Sequence, residues 1–218
     1  KPRKGERDGR GMITPTILIA DDHPLFRQAL TLAVTQVRAQ ATILEAGSLD
    51  RAVQAVRAAT DLTLILLDLN MPGAVGYSGV ALLHAEAPDV PILVISGADR
   101  AAAYAQVARF GAVGFVGKDA PLDQIETAIA AALSGERMAI EAPGEDDIAT
   151  RVATLTPTQL RVLLGVLAGR LNKQIAHDLG IAEATVKVHM TAVLRKLDVG
   201  NRTQAAVAAR ALGLEVAG

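Results

Sequence analysis

Five polar residues stand at or just past the ends of short apolar runs: Asp21 and Asp22 after "TILIA", Asp68 after "LTLILL", Ser96 closing "PILVIS", and Lys118 after "AVGFVG". Three carboxylates gathered at one place repel, and one takes up a proton unless a cation joins them. A hard divalent ion is the natural remedy. Mg²⁺ takes one or two carboxylates, keeps several waters and leaves places for phosphate oxygens. Asp68 is then able to act as a nucleophile toward a phosphoryl group, giving an acyl phosphate. Lys118 and Ser96 supply an ammonium and a hydroxyl to the phosphoryl oxygens. Each residue also has a plainer reading: Asp21 or Asp22 as a helix cap, Asp68 as the start of the "NMPG" turn, Ser96 as a loop hydroxyl, Lys118 as a solvated charge. Those readings leave the coincidence at four strand ends without a common cause.

The elements that must position these groups are legible in the hydrophobic pattern. Apolar runs at 16–20, 41–46, 62–67, 91–96 and 112–117 alternate with segments of three-and-four spacing such as "FRQALTLAVTQV" and "LDQIETAIAAAL". Five strands alternating with helices predict a flavodoxin-like, doubly wound parallel sheet. Strands apolar at nearly every position are those covered by helices on both faces. In a sheet of order 2-1-3-4-5, strands one, three, four and five bring the five residues to the carboxyl rim, where such folds bind ligands.

The stretches "LIADDHPLFRQAL", "LILLDLNMPG", "PILVISG" and "GAVGFVGKDA" together resemble the receiver domain of bacterial two-component response regulators, over about residues 15 to 134. The resemblance implies that Asp68 accepts phosphate from a sensor histidine kinase. It implies further that Asp22 and Asp68 bind Mg²⁺ directly with the backbone carbonyl of Asn70, while Asp21 acts through water. Ser96 would contact the phosphoryl group, and Phe115 would change rotamer with it, biasing a two-state element between strands four and five. The helix at roughly 100–109 would move most. Phe115 reads equally well as ordinary core.

Beyond Leu133 the pattern changes. "SGERMAIEAPGEDDIATR" is Gly-, Pro- and acid-rich and reads as a linker, and the chain beyond it is helical only. "TPTQ", Thr156 to Gln159, spells a capping box with Pro at the first helical position. Glycines at 169 and 180 close two helices, a third spans about 183–197, and a fourth starts near Thr203. This is a small four-helix domain with helix-turn-helix spacing. On the third helix Val186, Val193, Leu194 and Leu197 share one face, and Lys187, Val188, Thr191 and Arg195 the other. That mixed basic face suits a major groove: Lys187 and Thr191 reach base edges, with Thr185 beside them, and Val188 touches a thymine methyl. Lys173, Arg195, Lys196 and Arg202 read as phosphate contacts.

"LTPTQLRVL" and "GRLNKQIAHDLGIAEATVKVHMTAVLRKLDVGNRTQAA" resemble the DNA-binding domain of LuxR-type regulators over nearly all of 153–213. With a receiver ahead of it, the chain resembles a NarL/FixJ-family response regulator. The resemblance implies that the third helix reads DNA and that the fourth makes a homodimer contact after phosphorylation. The family usually has Glu at the positions of Gln159 and Gln174, Ser at Ala182 and Lys at Thr191. Ala182 lacks a hydroxyl cap, worth about 0.5–2 kcal/mol unless Glu183 compensates.

Charge divides along the same boundaries: residues 1–11 carry a net +3, 12–152 a net −8 and 153–218 a net +4. The basic end is the part suited to a polyanion. The expected organisation is a disordered tail or expression remnant at 1–13, a receiver at 14–134, a linker at 135–152 and the helix-turn-helix domain at 153–218. Absence of cysteine excludes disulfides and Cys-ligated zinc. No apolar run approaches a membrane span, so the expectation is a soluble, cytoplasmic protein with a kinase and double-stranded DNA as partners and no turnover of a small substrate. Two other readings stay open. One is a Mg²⁺-dependent phosphohydrolase with an aspartyl-phosphate intermediate, although a D-x-D motif is absent after strand one. The other is a DNA-binding regulator that needs no phosphate.

Overall fold

The computed structural model describes residues 14–97, 100–136 and 148–215; the tail at 1–13 and most of the expected linker lie outside the described residues. Five strands form one parallel sheet: β1 (Thr16–Ala20), β2 (Thr42–Ala46), β3 (Leu62–Leu67), β4 (Ile92–Ser96) and β5 (Ala112–Gly117). Their order is β2-β1-β3-β4-β5, as expected. The helices between them are α1 (Pro24–Val37), α2 (Leu49–Ala58), α3 (Ser78–Glu86), α4 (Arg100–Arg109) and α5 (Leu122–Leu133). α1 and α5 cover one face through Leu30, Val34, Ile125 and Ile129 against Ile17, Ile19, Leu64 and Leu66. α2, α3 and α4 cover the other, with Leu18, Ile65, Leu67 and Val94 beneath them. β1, β3 and β4 are buried almost throughout. Their uninterrupted aliphatic runs are the consequence of that double cover.

The C-terminal part comprises α6 (Ile148–Ala153), α7 (Pro157–Leu167), α8 (Asn172–Leu179), α9 (Glu183–Leu197) and α10 (Arg202–Ala211). The capping box at α7 is formed: Thr156 Oγ1 accepts from the Gln159 amide at 3.3 Å and Gln159 Oε1 from the Thr156 amide at 3.1 Å. Gln174 reaches back in the same way, its Oε1 accepting from the Leu171 amide at 2.8 Å, so both Gln-for-Glu departures keep their bonds. Ala182 makes no side-chain cap. Glu183 in the first turn supplies the charge that suits a helix N-terminus. α8 ends at Gly180 in the left-handed conformation, and three residues later α9 begins.

Two features depart from the sequence reading. The stretch read as linker, 135–152, ends in helix α6, whose Ala149 and Val152 are fully buried. The two domains also share an apolar cluster that runs from the sheet through α3 and α4 into α6 and α7. At its edge the backbone of the β3–α3 loop meets the chain after α10: Gly76 pairs with Leu214 as an antiparallel bridge, and the Tyr77 amide donates to the Gly213 carbonyl at 3.1 Å. A Cβ on Gly76, at φ +56°, would lie 2.2 Å from the Gly213 carbonyl oxygen, so only glycine permits this approach. At the other end of α3 the nearly buried Glu86 carboxylate pairs with Arg57 of the receiver at 2.9 Å and with Arg161 of α7.

Candidate functional site

Parallel strands deliver their carboxyl ends to one rim, and the register fixes which residues meet there. Ala20 pairs with Leu67, so Asp21 and Asp68 emerge side by side. The Asp68 amide donates to the Ala20 carbonyl at 2.8 Å and the Asp21 amide to the Ala46 carbonyl at 3.0 Å. Both carboxylates are buried, 1% and 2% exposed. Lys118 Nζ lies between them, 2.6 Å from Asp21 Oδ2 and 2.8 Å from Asp68 Oδ2. Burial alone would pull the Lys118 ammonium down; hydrogen bonds and charge from Asp21 and Asp68 outweigh it and hold the group above the usual lysine value. The other Asp68 oxygen, Oδ1, accepts from the Asn70 amide at 3.2 Å.

Ser96 pairs with Gly117 across the last two strands. Its carbonyl accepts from the Lys118 amide at 3.1 Å. Its Oγ is buried and has no hydrogen-bond partner. Phe115 sits two pairs back, opposite Val94, fully buried in the core cluster on the α2–α4 side. Asp22 is half-buried and faces His23, whose Nδ1 lies 2.7 Å from Asp22 Oδ1 and 3.2 Å from Asp21 Oδ1.

Three carboxylates against one ammonium leave an uncompensated charge of about −2 at a partly enclosed rim, the circumstance in which a divalent cation binds. Asp21, Asp22, His23 and Asp68 each offer a ligand atom, all within 4.8 Å of one another. The donor set fits such an ion.

The second candidate surface lies on α9. Val186, Met190, Val193 and Leu197 are buried against the other helices. Lys187, Val188, Thr191 and Arg195 are exposed on the opposite face, Val188 at 68%. Thr185 is half-buried at the start of the helix and Lys173 is exposed on α8. Two of the expected phosphate contacts serve the domain itself. Lys196 Nζ donates to the Thr154 carbonyl at 2.7 Å, and Arg202 donates to the Arg170 carbonyl at 2.9 Å, tying α10 to the turn before α8. With the domains docked, the α9 face remains open.

A family model of the response regulator receiver domain matches residues 17–130, and one of the luxR family of bacterial regulatory proteins matches residues 153–209. The chain belongs to the NarL/FixJ family of two-component response regulators. Among similar proteins, the glycerol metabolism activator of Pseudomonas putida is 41% identical over 88% of this response regulator and 94% of the relative. The nitrate/nitrite response regulator protein NarP of Escherichia coli is 31% identical, with 88% and 92% covered. The transcriptional regulatory protein LiaR of Bacillus subtilis is 32% identical, with 88% and 94% covered. The solved RcsB response regulator of Salmonella typhimurium shares the fold, with a TM-score of 0.54 at 21% identity over 92% of this chain and all of that one.

Three neighbours of the site in this response regulator escape sequence reasoning. His23 joins the acidic rim, signalled only by its place between Asp22 and Pro24. Phe26 places its ring 4.8 Å from Lys118 Nζ, a cation–π contact. Arg27 donates to the Asp21 carbonyl at 2.8 Å and pairs with Glu45 at 2.9 Å, bracing the turn that carries both aspartates.

Proposed function

We propose that Asp68 accepts a phosphoryl group from a sensor histidine kinase and that this modification controls sequence-specific binding of DNA by α9. The observation that carries the reading is the meeting of Asp68, Asp21 and Lys118 at the rim of a receiver fold, with the Ser96 hydroxyl buried and unpartnered at the next strand end. An Asp68 oxygen attacks the phosphorus of a phosphohistidine. The new P–O bond forms as the P–N bond breaks, and the electron pair leaves with the imidazole, which takes up a proton. Asp22, Asp68 and the Asn70 carbonyl, with Asp21 through water, would hold Mg²⁺, which supplies positive charge to the phosphoryl oxygens. Lys118 transfers its contact from the carboxylate to the phosphoryl group, and Ser96 donates to one of its oxygens.

Movement of Ser96 is felt at Lys118 through their backbone bond, and at Phe115 through the paired strands, which makes Phe115 the candidate switch. α4, following β4, is the element biased. A second route runs along the loop after Asp68, which ends at Gly76 and Tyr77 where the C-terminal domain is bridged. Because the α9 face is open while the domains are docked, control would act by reorienting the DNA-binding domain and favouring a homodimer, not by uncovering that helix. Lys187 and Thr191, with Thr185 and Val188, would read bases, while Lys173, Arg195, Lys196 and Arg202 would touch phosphates. The chain would act as a switch without turnover of a small substrate, in the cytoplasm. Its receiver occupies 14–134 and its DNA-binding domain 153–218.

The reading is tested with a DNA fragment selected from a random pool by the phosphodonor-treated protein. Phosphodonor should tighten binding by the wild type and leave Asp68→Asn at its basal affinity. Equal affinities under phosphorylating conditions support a regulator that needs no phosphate.

A further inference from the structure

The imidazole of His23 sits against the carboxylates that would hold the divalent ion, and its position is set by backbone rather than by chance. Asp21 Oδ1 accepts from the His23 amide at 2.7 Å, closing a tight turn around the residue. Pro24, at the first position of α1, confines the residue before it to extended backbone, and His23 has φ −89° and ψ 107°. Two independent constraints therefore fix the backbone, and with it the Cα–Cβ direction, from which the ring meets the rim. Its Nδ1 lies 2.7 Å from Asp22 Oδ1, 3.2 Å from Asp21 Oδ1 and 3.5 Å from Lys118 Nζ. Neighbouring donors around an octahedral ion with bonds of about 2.1 Å lie about 3 Å apart. The separation from Asp22, the direct ligand among the two, is close to that value. The ammonium of Lys118 now stands where the charge of an ion would be felt.

We propose that His23 is a direct nitrogen ligand of this site, so that the rim binds a first-row transition divalent ion through a mixed nitrogen and oxygen set in preference to Mg²⁺. This rests on the reading of the rim as a metal site and adds to it a ligand and a selectivity. Imidazole contributes little to Mg²⁺, which favours oxygen and retains its waters. It raises affinity for ions further along the Irving–Williams series, Co²⁺ and Ni²⁺ among them. Removal of His23 therefore weakens Co²⁺ binding and leaves Mg²⁺ binding nearly as it was. The ring is largely exposed, so an ion is able to reach Nδ1 without opening the fold.

The test uses the full chain without a polyhistidine tag. Mn²⁺ is added as a paramagnetic probe, and pulsed electron paramagnetic resonance reads ¹⁴N modulation from a directly bound imidazole. Co²⁺ and Mg²⁺ affinities are measured by calorimetry. Wild type should bind Mn²⁺ with ¹⁴N modulation that is lost in His23→Gln, and the substitution should weaken Co²⁺ by at least about tenfold with Mg²⁺ changed less than about threefold. Mn²⁺ bound without ¹⁴N modulation, or with modulation that survives in His23→Gln, overturns His23 as a ligand and leaves the carboxylate site standing. Equal losses for Co²⁺ and Mg²⁺ overturn the selectivity. Failure of the wild type to bind any of the three ions overturns the metal reading itself.

Discussion

Replacing Lys118 by Met removes the one ammonium lying between two buried carboxylates and keeps most of its aliphatic volume. Breaking a buried ion pair from one side is typically worth 3–5 kcal/mol. The Lys118 side chain is 18% exposed, so water screens part of the loss, and we expect a destabilisation of about 2–3 kcal/mol at pH 7. The same contact sets an alkaline limit. The folded-state pKa of Lys118 is raised above 10.5, so its stabilisation is fully present below that value and is lost as pH rises through the higher folded value. The protein contains no Trp and two Tyr, Tyr77 and Tyr104, both in the receiver, so tyrosine fluorescence during urea unfolding reports that domain. In EDTA the variant's midpoint should fall by about 1–2 M. A divalent ion should return more stability to the variant than to the wild type, where it must displace the ammonium. Equal midpoints in EDTA at pH 7 would refute the account of how these carboxylates are held.

Gly76→Ala places a Cβ where the Gly213 carbonyl lies and puts a non-glycine residue at φ +56°, a strain of about 1–2 kcal/mol; the bridge should open and the radius of gyration in X-ray scattering rise, and an unchanged radius contradicts the latch. Lys173→Ala should weaken binding about equally across DNA sequences and lower the salt slope by about 1, whereas Lys187→Ala should relax preference at particular base pairs; the assignment reverses if Lys187 carries the salt dependence. Val207, 64% exposed on α10, is the apolar centre of the proposed dimer contact, so Val207→Glu should leave a monomer on the phosphodonor-treated chain in sedimentation. A dimer that survives places the contact elsewhere.

The sheet was legible because its central strands β1, β3 and β4 are covered on both faces. A run such as Leu64–Leu67 has no other stable placement, and five such ends made a rim whose polar residues were then countable. The α7 cap was legible for the same local reason, with Thr156, Pro157 and Gln159 in fixed spacing. Contacts between distant segments were not. Nothing near Gly76 or Gly213 announces a backbone bridge, and nothing in the sequence pairs Glu86 with Arg161, 75 residues on. α6 hid in an acidic, Gly-rich stretch because six residues are too few for a periodicity. That Arg202 and Lys196 also donate to carbonyls of their own domain has no signal in the sequence. A lone histidine before proline, such as His23, carries no spacing signal.

The central claim is that Asp68 carries the phosphoryl group. Intact-protein mass measured after incubation with a small-molecule phosphodonor and Mg²⁺ addresses it directly. The wild type should gain the mass of one phosphoryl group and Asp68→Asn none, with Lys118→Met and Ser96→Ala gaining it more slowly. No gain in the wild type, or an undiminished gain in Asp68→Asn, would contradict the account.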